Sequence, residues 1–212
     1  ALNDKKDPSV LLVVLTDLRY SLVSYNDGFN TLKTGTLVSS RNRRVDPPYK
    51  IVSSTFGVLI SSHVQIVTAY QLHLDFTFSA PLNIHCKGQE ILDFDFLGAG
   101  KHPVIAILSA DYTNKTILQF FKWKEREYIE CSFFDMEDDA YRIKGIGKSS
   151  LVVFTTSTAS LIELVEYAPL RKSSTIYTAF PITDICEVNL NHYAAIDSDG
   201  NVLLIDVLKN GK

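Results

Sequence analysis

The chain has 212 residues, of which 46% are hydrophobic and 21% are charged, and its formal net charge is -3. This composition is that of a folded globular chain with a sizeable core, and it excludes a disordered chain. The near-neutral charge gives no general attraction to nucleic acid or to an anionic membrane. No apolar run approaches the roughly 20 residues that a membrane-spanning helix needs.

The first elements along the chain are predicted to be strands. Residues 10–15 form a continuous apolar run, which is typical of a strand buried on both faces. Residues 21–25 follow as a second strand, and Asn26-Asp27-Gly28 is a strong hairpin signal because these residue types tolerate positive φ. Residues 29–38 are more polar, as an outer strand would be.

A basic loop interrupts this pattern between residues 39 and 48, where two prolines cannot donate to a strand ladder. Strand patterns then resume. The sequence predicts strands at residues 51–56, 58–60, 64–70 and 72–78, and either a short strand or part of a loop at 82–86.

The clearest unit of the chain lies between Gln89 and Asp135. Four apolar runs separated by turn residues predict four consecutive strands, at residues 91–97, 104–108, 117–123 and 128–134. Four strands in about 45 residues have the size of one blade of a β-propeller.

The same pattern continues toward residue 207. Strands are predicted at 141–146, 151–155, 161–167 and 175–180, with a polar connection at 169–174, and then at 182–188, 193–196 and 202–207. The segment 161–167 also has a helix-like spacing, but its β-branched neighbours and flanking turns favour a strand. The units starting near Ile91, Tyr141 and Ile182 repeat every 40 to 50 residues or so, within the range of propeller blades.

These patterns predict an all-β fold, and more narrowly a β-propeller with WD40-like four-stranded blades. A single or partial domain is expected over residues 1–212, with units at about 10–38, 49–86, 90–135, 140–180 and 182–208. We expect four to five blades that begin and end in mid-blade. Because an open ring would expose strand edges to aggregation, either the ring closes with few blades or the blades belong to a larger ring, and we favour the larger ring.

Two short motifs resemble ligand loops. Gly145-Ile146-Gly147-Lys148-Ser149 is similar to the end of a phosphate loop, but Arg142 stands where that motif needs its first glycine. Asp197, Asp199 and Asn201 resemble a calcium loop with its glycine, Gly200, at the wrong offset. The sequence favours a turn in both places.

Metal-binding and catalytic patterns are weak. His85-Cys86 is the only adjacent pair of zinc-ligand types, and Cys86, Cys131 and Cys186 are predicted to be buried free thiols in a reducing compartment. Asp93 and Asp95 share one strand face, which is predicted to be solvated or to anchor a loop, with acid–base chemistry as the alternative. We expect no enzyme, no catalytic residue, no metal and no cofactor.

The remaining candidates are charged loops and aromatic side chains. Arg41, Arg43 and Arg44 form the one basic cluster, a candidate interaction loop that could contact phosphate together with Lys50, although a solvated loop is the alternative. The acidic turn 137–139 is a comparable docking candidate. Trp123 and the pair Phe120-Phe121 are predicted to lie in the core.

The order of the segments resembles a known family. The apolar strand 11–16 leads to 20–25, then to the basic loop with Asp46-Pro47, and then to 90–97, 103–108 and 116–122, with 193–197 and 199–205 near the end. This succession resembles the first propeller of the large subunit of the UV-damaged-DNA-binding complex. Relatives of that protein include a yeast methyl-methanesulfonate-sensitivity adaptor, a heterochromatin-silencing adaptor, and propeller subunits of splicing and of mRNA cleavage and polyadenylation. The resemblance spans about residues 10–207, although the family's first strands have no counterpart before Asp7.

The resemblance implies a very long, non-enzymatic scaffold with three propellers. In the ubiquitin-ligase members, one propeller holds a cullin and the other two form a cleft for a substrate receptor. By resemblance, this chain is expected to belong to a cullin-RING ligase adaptor acting in DNA repair or chromatin. Its expected partners are a receptor subunit, a cullin bound through the full-length chain, or both. Direct nucleic-acid binding and membrane binding are not expected, and the location is the nucleus, with the cytoplasm as an alternative. The alternative function is a propeller subunit of the splicing or cleavage–polyadenylation machinery. No binding residue can be carried over from the family.

Replacing Arg41, Arg43 and Arg44 together with alanine tests the nucleic-acid hypothesis. If the loop neutralises phosphates, the triple variant binds duplex DNA more weakly, and the slope of log affinity against log salt becomes shallower by about 0.9 for each lost contact. Titrations at several salt concentrations measure both quantities. An unchanged affinity and slope would remove the hypothesis.

Overall fold

The computed structural model describes residues 10–25, 28–37, 50–53, 57–63, 65–98, 102–136, 139–146, 149–165, 168–189 and 192–207. Within these ranges every regular element is a β-strand, and there are eighteen of them. They form five antiparallel sheets, in each of which neighbours along the chain are neighbours in space. The all-β prediction is therefore confirmed.

The first two sheets contain seven strands. Sheet 1 consists of β1 (Val10–Val14), β2 (Arg19–Tyr25) and β3 (Phe29–Thr36). Sheet 2 consists of β4 (Ile51–Ser53), β5 (Gly57–His63), β6 (Ile66–Gln71) and β7 (Leu82–His85).

The other three sheets contain eleven strands. Sheet 3 consists of β8 (Glu90–Leu97), β9 (Val104–Ala110), β10 (Thr116–Lys124) and β11 (Glu127–Asp135). Sheet 4 consists of β12 (Ala140–Ile146), β13 (Ser150–Thr155), β14 (Thr158–Val165) and β15 (Ala168–Tyr177). Sheet 5 consists of β16 (Ile182–Asn189), β17 (His192–Asp197) and β18 (Val202–Asp206).

Four apolar clusters join the sheets face to face in chain order. Sheets 1 and 2 share a cluster around Leu22 and Val58, and sheets 2 and 3 share one around Leu59 and Phe94. Sheets 3 and 4 pack through Leu108, Phe120 and Val153, and sheets 4 and 5 pack through Phe154, Ile185 and Tyr193. An inner sheet is therefore covered on both faces, which explains why all seven residues of β9 are buried and apolar types dominate it.

One hairpin turn recurs in four of the sheets. It spans Leu15 to Arg19, His73 to Thr77, Asp111 to Lys115 and Asp197 to Asn201, where the first N–H donates to the fifth carbonyl at 2.8, 2.8, 3.0 and 3.0 Å. Its fourth residue has a positive φ: 64° at Leu18, 61° at Phe76, 61° at Asn114 and 86° at Gly200. In sheet 3 this turn joins the second strand to the third, whereas in sheet 2 it lies between the third strand, β6, and the fourth, β7.

Most predicted strands between Gln89 and Ile146 are confirmed, and so is the strand at 161–165. Three other predictions about the strands were wrong. Residues 72–78 form a tight turn instead of a strand, because the Asp75 carboxylate accepts hydrogen bonds from Thr77 N and Oγ1 at 3.2 and 2.7 Å. These local bonds compete with a strand ladder. Residues 169–174 belong to β15, since pairing with β14 holds a polar outer strand in place.

The third error concerns β1, which was predicted to be buried on both faces. Leu11 and Val13 are 52% and 40% exposed, whereas Val10 is buried. Within the described part of the chain, only the face of sheet 1 that packs on sheet 2 is covered. Some other predicted elements and turns include residues that lie outside the described ranges. These residues are 26–27, 54–56, 166–167 and 208.

Leu108→Ala tests whether the cluster between sheets 3 and 4 is a true core. Leu108 is 0% exposed, so truncation leaves a cavity and lowers the free energy of unfolding by about 2 to 5 kcal/mol. Leu74→Ala is the matched control, because Leu74 is 102% exposed and its truncation should change little. Urea denaturation of both variants measures the difference, and equal losses would contradict the packing described here.

Candidate functional site

Charged side chains occur along the first strands of sheets 2 to 5. We call this set the charged row. It contains Lys50, which immediately precedes β4, together with Asp93, Asp95, Arg142, Lys144 and Asp184.

A β-bulge near the start of each first strand sets the position of this row in sheets 3, 4 and 5. The register shifts between Ile91 and Asp93 in β8, and at the corresponding places in β12 and β16. Immediately after the shift stand Asp93, Arg142 and Asp184. Since a bulge redirects the following side chains, the three residues occupy equivalent places, and their charges alternate in sign.

Ion pairs within the charged row connect sheet 2 to sheet 3, sheet 3 to sheet 4, and sheet 4 to sheet 5. Lys50 Nζ binds Asp93 Oδ1 and also donates to the Phe94 carbonyl at 2.9 Å. Lys144 Nζ lies 3.1 Å from Asp95 Oδ2. Arg142 Nη2 lies 2.7 Å from Asp184 Oδ1, but the Asp184 side chain is 71% exposed, so solvent screens this last pair strongly.

Asp93 and Asp95 also bind the backbone of β12. Asp93 Oδ2 accepts the Ile143 N–H at 2.8 Å, and Asp95 Oδ2 accepts the Gly145 N–H at 3.0 Å. Both residues are only 4% exposed. The prediction of a solvated face was wrong, because these carboxylates anchor a strand of the next sheet.

The other oxygen of each carboxylate is bound within β8. Asp93 Oδ1 accepts the N–H of Phe94 at 2.9 Å, and Asp95 Oδ1 accepts the N–H of Phe96 at 2.8 Å. With the lysines, each carboxylate has three donors that satisfy its charge. Such an arrangement stabilises the stacking of sheets 3 and 4, since buried carboxylates that are fully hydrogen-bonded hold their partners in one register.

Gly145 permits the close approach of β12 to β8. A Cβ at this position would lie 2.0 Å from the Phe96 carbonyl oxygen. Any side chain here would therefore separate the two strands and lengthen the bond from the Gly145 N–H to Asp95.

The basic cluster predicted from the sequence falls outside the described residues, because Arg41, Arg43 and Arg44 all lie there. Lys50, which was grouped with them as a phosphate contact, instead binds Asp93. In the acidic turn 137–139, only Asp139 is described, and it is exposed. Of the motif that resembles a phosphate loop, Gly147 and Lys148 are not described, while Gly145 belongs to β12.

The calcium-like motif is a hairpin turn, as predicted. Asp197 Oδ1 accepts the N–H groups of Asp199 and Asn201 at 3.0 and 2.8 Å, and Oδ2 accepts Asn201 Nδ2 at 3.0 Å. The side-chain bond from Asn201 is the largest cause that lowers the pKa of Asp197. In the described part of the chain, no three His, Cys, Asp or Glu side chains are grouped so that they could hold a metal ion.

Trp123 was predicted to be a core residue, but it is only half-buried. Its ring stacks on His102 at 4.8 Å between centroids with an angle of 6°, and it meets Tyr128 edge-on at 5.2 Å. Burial raises the pKa of Tyr128, whose hydroxyl donates to the Pro103 carbonyl at 3.3 Å. By contrast, the core prediction for the pair Phe120-Phe121 is confirmed, with exposures of 0% and 4%.

The three cysteines are free, as expected, but they are not equally buried. Burial raises the pKa of the Cys86 thiol to about 12, and it also raises the pKa of Cys131. Cys186 is exposed, because it lies on the face of sheet 5 that points away from sheet 4, so its predicted burial was wrong. None of the described residues forms a helix of the length and hydropathy needed to cross a bilayer.

The charged row was missed by sequence analysis, although a signal was present. Lys50 and Asp93 are 43 residues apart, and Arg142 and Asp184 are 42 apart, so each spacing equals about one repeat. The row could have been found by searching for one charged residue at the same place in each unit, with a sign that alternates from one unit to the next.

Comparison of the chain with models of known protein families gives no match, and comparison with curated proteins gives none either.

Asp95→Ala tests the contribution of the charged row to stability. The substitution leaves Lys144 Nζ and the Gly145 N–H without their partner, so the free energy of unfolding should fall by about 3 to 5 kcal/mol.

The matched control is Asp135→Ala, which breaks the ion pair with Lys115. Both of those side chains are about half exposed, at 50% and 51%, so the expected loss is about 0 to 1 kcal/mol. Chemical denaturation compares the two variants. A loss for Asp95→Ala as small as that of the control would show that the row does not stabilise the sheets.

Proposed function

We propose that this chain is a segment of a β-propeller in a non-enzymatic scaffold protein, which acts by binding other proteins. The observation that carries the proposal is the arrangement of the first strands. The first strands of sheets 3 and 4 approach so closely that carboxylates of β8 bind the backbone of β12.

The outer strands support the same proposal. The fourth strands β11 and β15 touch each other far less than β8 and β12 do. Sheets 3 and 4 therefore lie closer together at their first strands than at their fourth strands. Twisted antiparallel sheets that repeat in this way are the building plan of a propeller.

The outer surface also supports the proposed scaffold role. Rigid stacked sheets hold their connecting loops in fixed positions, which suits recognition of several partners. The outer strands and turns expose large side chains, such as Tyr112 at 85%, Phe29 at 76% and Phe133 at 55%. Aromatic side chains are common anchors of protein–protein interfaces.

Among scaffolds, we favour an adaptor of a cullin-RING ubiquitin ligase that acts in DNA repair or chromatin in the nucleus. This narrower proposal is supported by the order of the sequence segments, which resembles the first propeller of the UV-damaged-DNA-binding large subunit. In that reading the chain contributes part of the surface that receives a substrate receptor. The same order also fits a propeller subunit of the splicing or cleavage–polyadenylation machinery, so the experiment must separate the two.

Affinity purification of the full-length protein from its native cell, followed by mass spectrometry, separates these functions. We expect a cullin, a RING subunit and a receptor to co-purify. Splicing or polyadenylation subunits would keep the scaffold proposal and overturn the ligase adaptor. A tagged propeller protein of unrelated function, purified in parallel, is the control for background binding, and an absence of specific partners under mild conditions would contradict both.

A further inference from the structure

A serine on the outer strand of sheet 4 is preceded by two cations. Arg171 and Lys172 stand three and two residues before Ser174, and β15 contains no acidic residue. Every other serine or threonine of the chain lacks a basic residue at one or both of these places. Proteins that select substrates by charge read such a pattern with groups of opposite sign. The segment therefore has the charge pattern that an arginine-directed serine/threonine kinase selects.

The structure exposes the part of β15 that contains this serine. Residues 174–177 are all exposed. Among the described residues, the Ser174 hydroxyl has no hydrogen-bond partner. The neighbouring Thr175 hydroxyl, by contrast, lies 3.0 Å from the hydroxyl of Ser160 on β14. Of these two adjacent hydroxyl groups, that of Ser174 is therefore the one available to react.

The ladder between β14 and β15 is interrupted beside this serine. The register shifts between Leu161 and Ile162, so Ser173 has no partner on β14. It shifts again between Glu163 and Val165. A β-bulge disrupts the ladder and bends the strand locally. A segment between two such shifts opens at lower cost than a regular ladder, and a kinase needs this opening to draw a serine out of a sheet.

We propose that Ser174 is a phosphorylation site for an arginine-directed serine/threonine kinase. The Ser174 hydroxyl oxygen attacks the γ-phosphorus of Mg²⁺-ATP, the bond from that phosphorus to the β–γ bridging oxygen breaks, and ADP leaves. The hydroxyl proton goes to the catalytic aspartate of the kinase. This inference needs only the sequence, exposure and register of β15. It is therefore separate from the question of which complex the chain joins.

Phosphorylation changes the charge of this outer strand. A phosphoserine carries about −1.5 to −2 charge at pH 7 and three strong acceptor oxygens. The unmodified strand β15 contains two cations, Arg171 and Lys172, and no carboxylate. The modification thus brings the strand close to neutrality. A partner that binds the unmodified strand through its own carboxylates should consequently bind the phosphorylated strand more weakly.

Labelling of the purified 212-residue chain tests the site. The chain is incubated with Mg²⁺-ATP and the catalytic subunit of cyclic-AMP-dependent protein kinase, which is arginine-directed. We expect phosphate on Ser174, located by tandem mass spectrometry, and no label in Ser174→Ala. The matched control Ser157→Ala should keep the label, because Ser157 is also exposed but has no basic residue among the three residues before it.

Replacing Arg171 and Lys172 together with alanine tests the charge pattern. The double variant should lower kcat/KM for phosphorylation about tenfold or more, since it removes the two cations that the acidic cleft of the kinase contacts. The matched control is Lys115→Ala, which removes an exposed cation from sheet 3 and should change kcat/KM by less than about twofold. Equal effects of the two changes would show that the kinase does not read the residues before Ser174.

A destabilised chain shows whether the kinase reaches Ser174 in the folded protein. Phe94→Ala truncates a side chain in the cluster between sheets 2 and 3, away from sheet 4, and should raise the unfolded fraction about a hundredfold or more. The rate of Ser174 phosphorylation should nevertheless stay within about twofold of the original, because the site opens locally. A rate that rises in proportion to the unfolded fraction would show that the kinase reaches Ser174 only after global unfolding.

Isolation of the full-length protein from native cells treated with phosphatase inhibitors gives an independent readout. Mass spectrometry of that protein should find phosphate on Ser174. The proposal is overturned if the folded chain is not labelled, if Ser174→Ala keeps the label, or if the phosphate is found on other residues instead. It is also overturned if Ser174 carries no phosphate in the protein from the treated cells.

Discussion

The bonds from Asp93 and Asp95 to the backbone of β12 are the contacts on which the alignment of sheets 3 and 4 depends. The apolar cluster between these sheets supplies most of the favourable energy, but apolar packing is not directional. Two carboxylates that accept the N–H groups of Ile143 and Gly145 permit only one alignment of the strands. A shift of one residue would leave buried charges without donors, which is costly.

The alternation of charge along the first strands makes this arrangement repeatable. A buried carboxylate is tolerated at β8 because a lysine from each neighbouring sheet reaches it or its companion, Lys50 on one side and Lys144 on the other. The β-bulges bring Asp93, Arg142 and Asp184 to equivalent places in sheets 3, 4 and 5. The charges therefore specify which first strands meet, whereas the stability comes mainly from the apolar faces.

The sequence by itself determined the strands of this protein, because apolar runs and turn residues are local signals. The units beginning near Ile91, Tyr141 and Ile182 were visible in this way, as was the hairpin at Asp197. Local signals failed where packing decides the outcome: nothing local shows that Leu11 and Val13 of β1 are exposed, or that pairing with β14 holds the polar start of β15 in a strand. They failed also at the charged row. Only the tertiary structure brings Lys50 to Asp93 and Asp95 to Lys144, because these partners are 43 and 49 residues apart and meet only when whole sheets stack on one another.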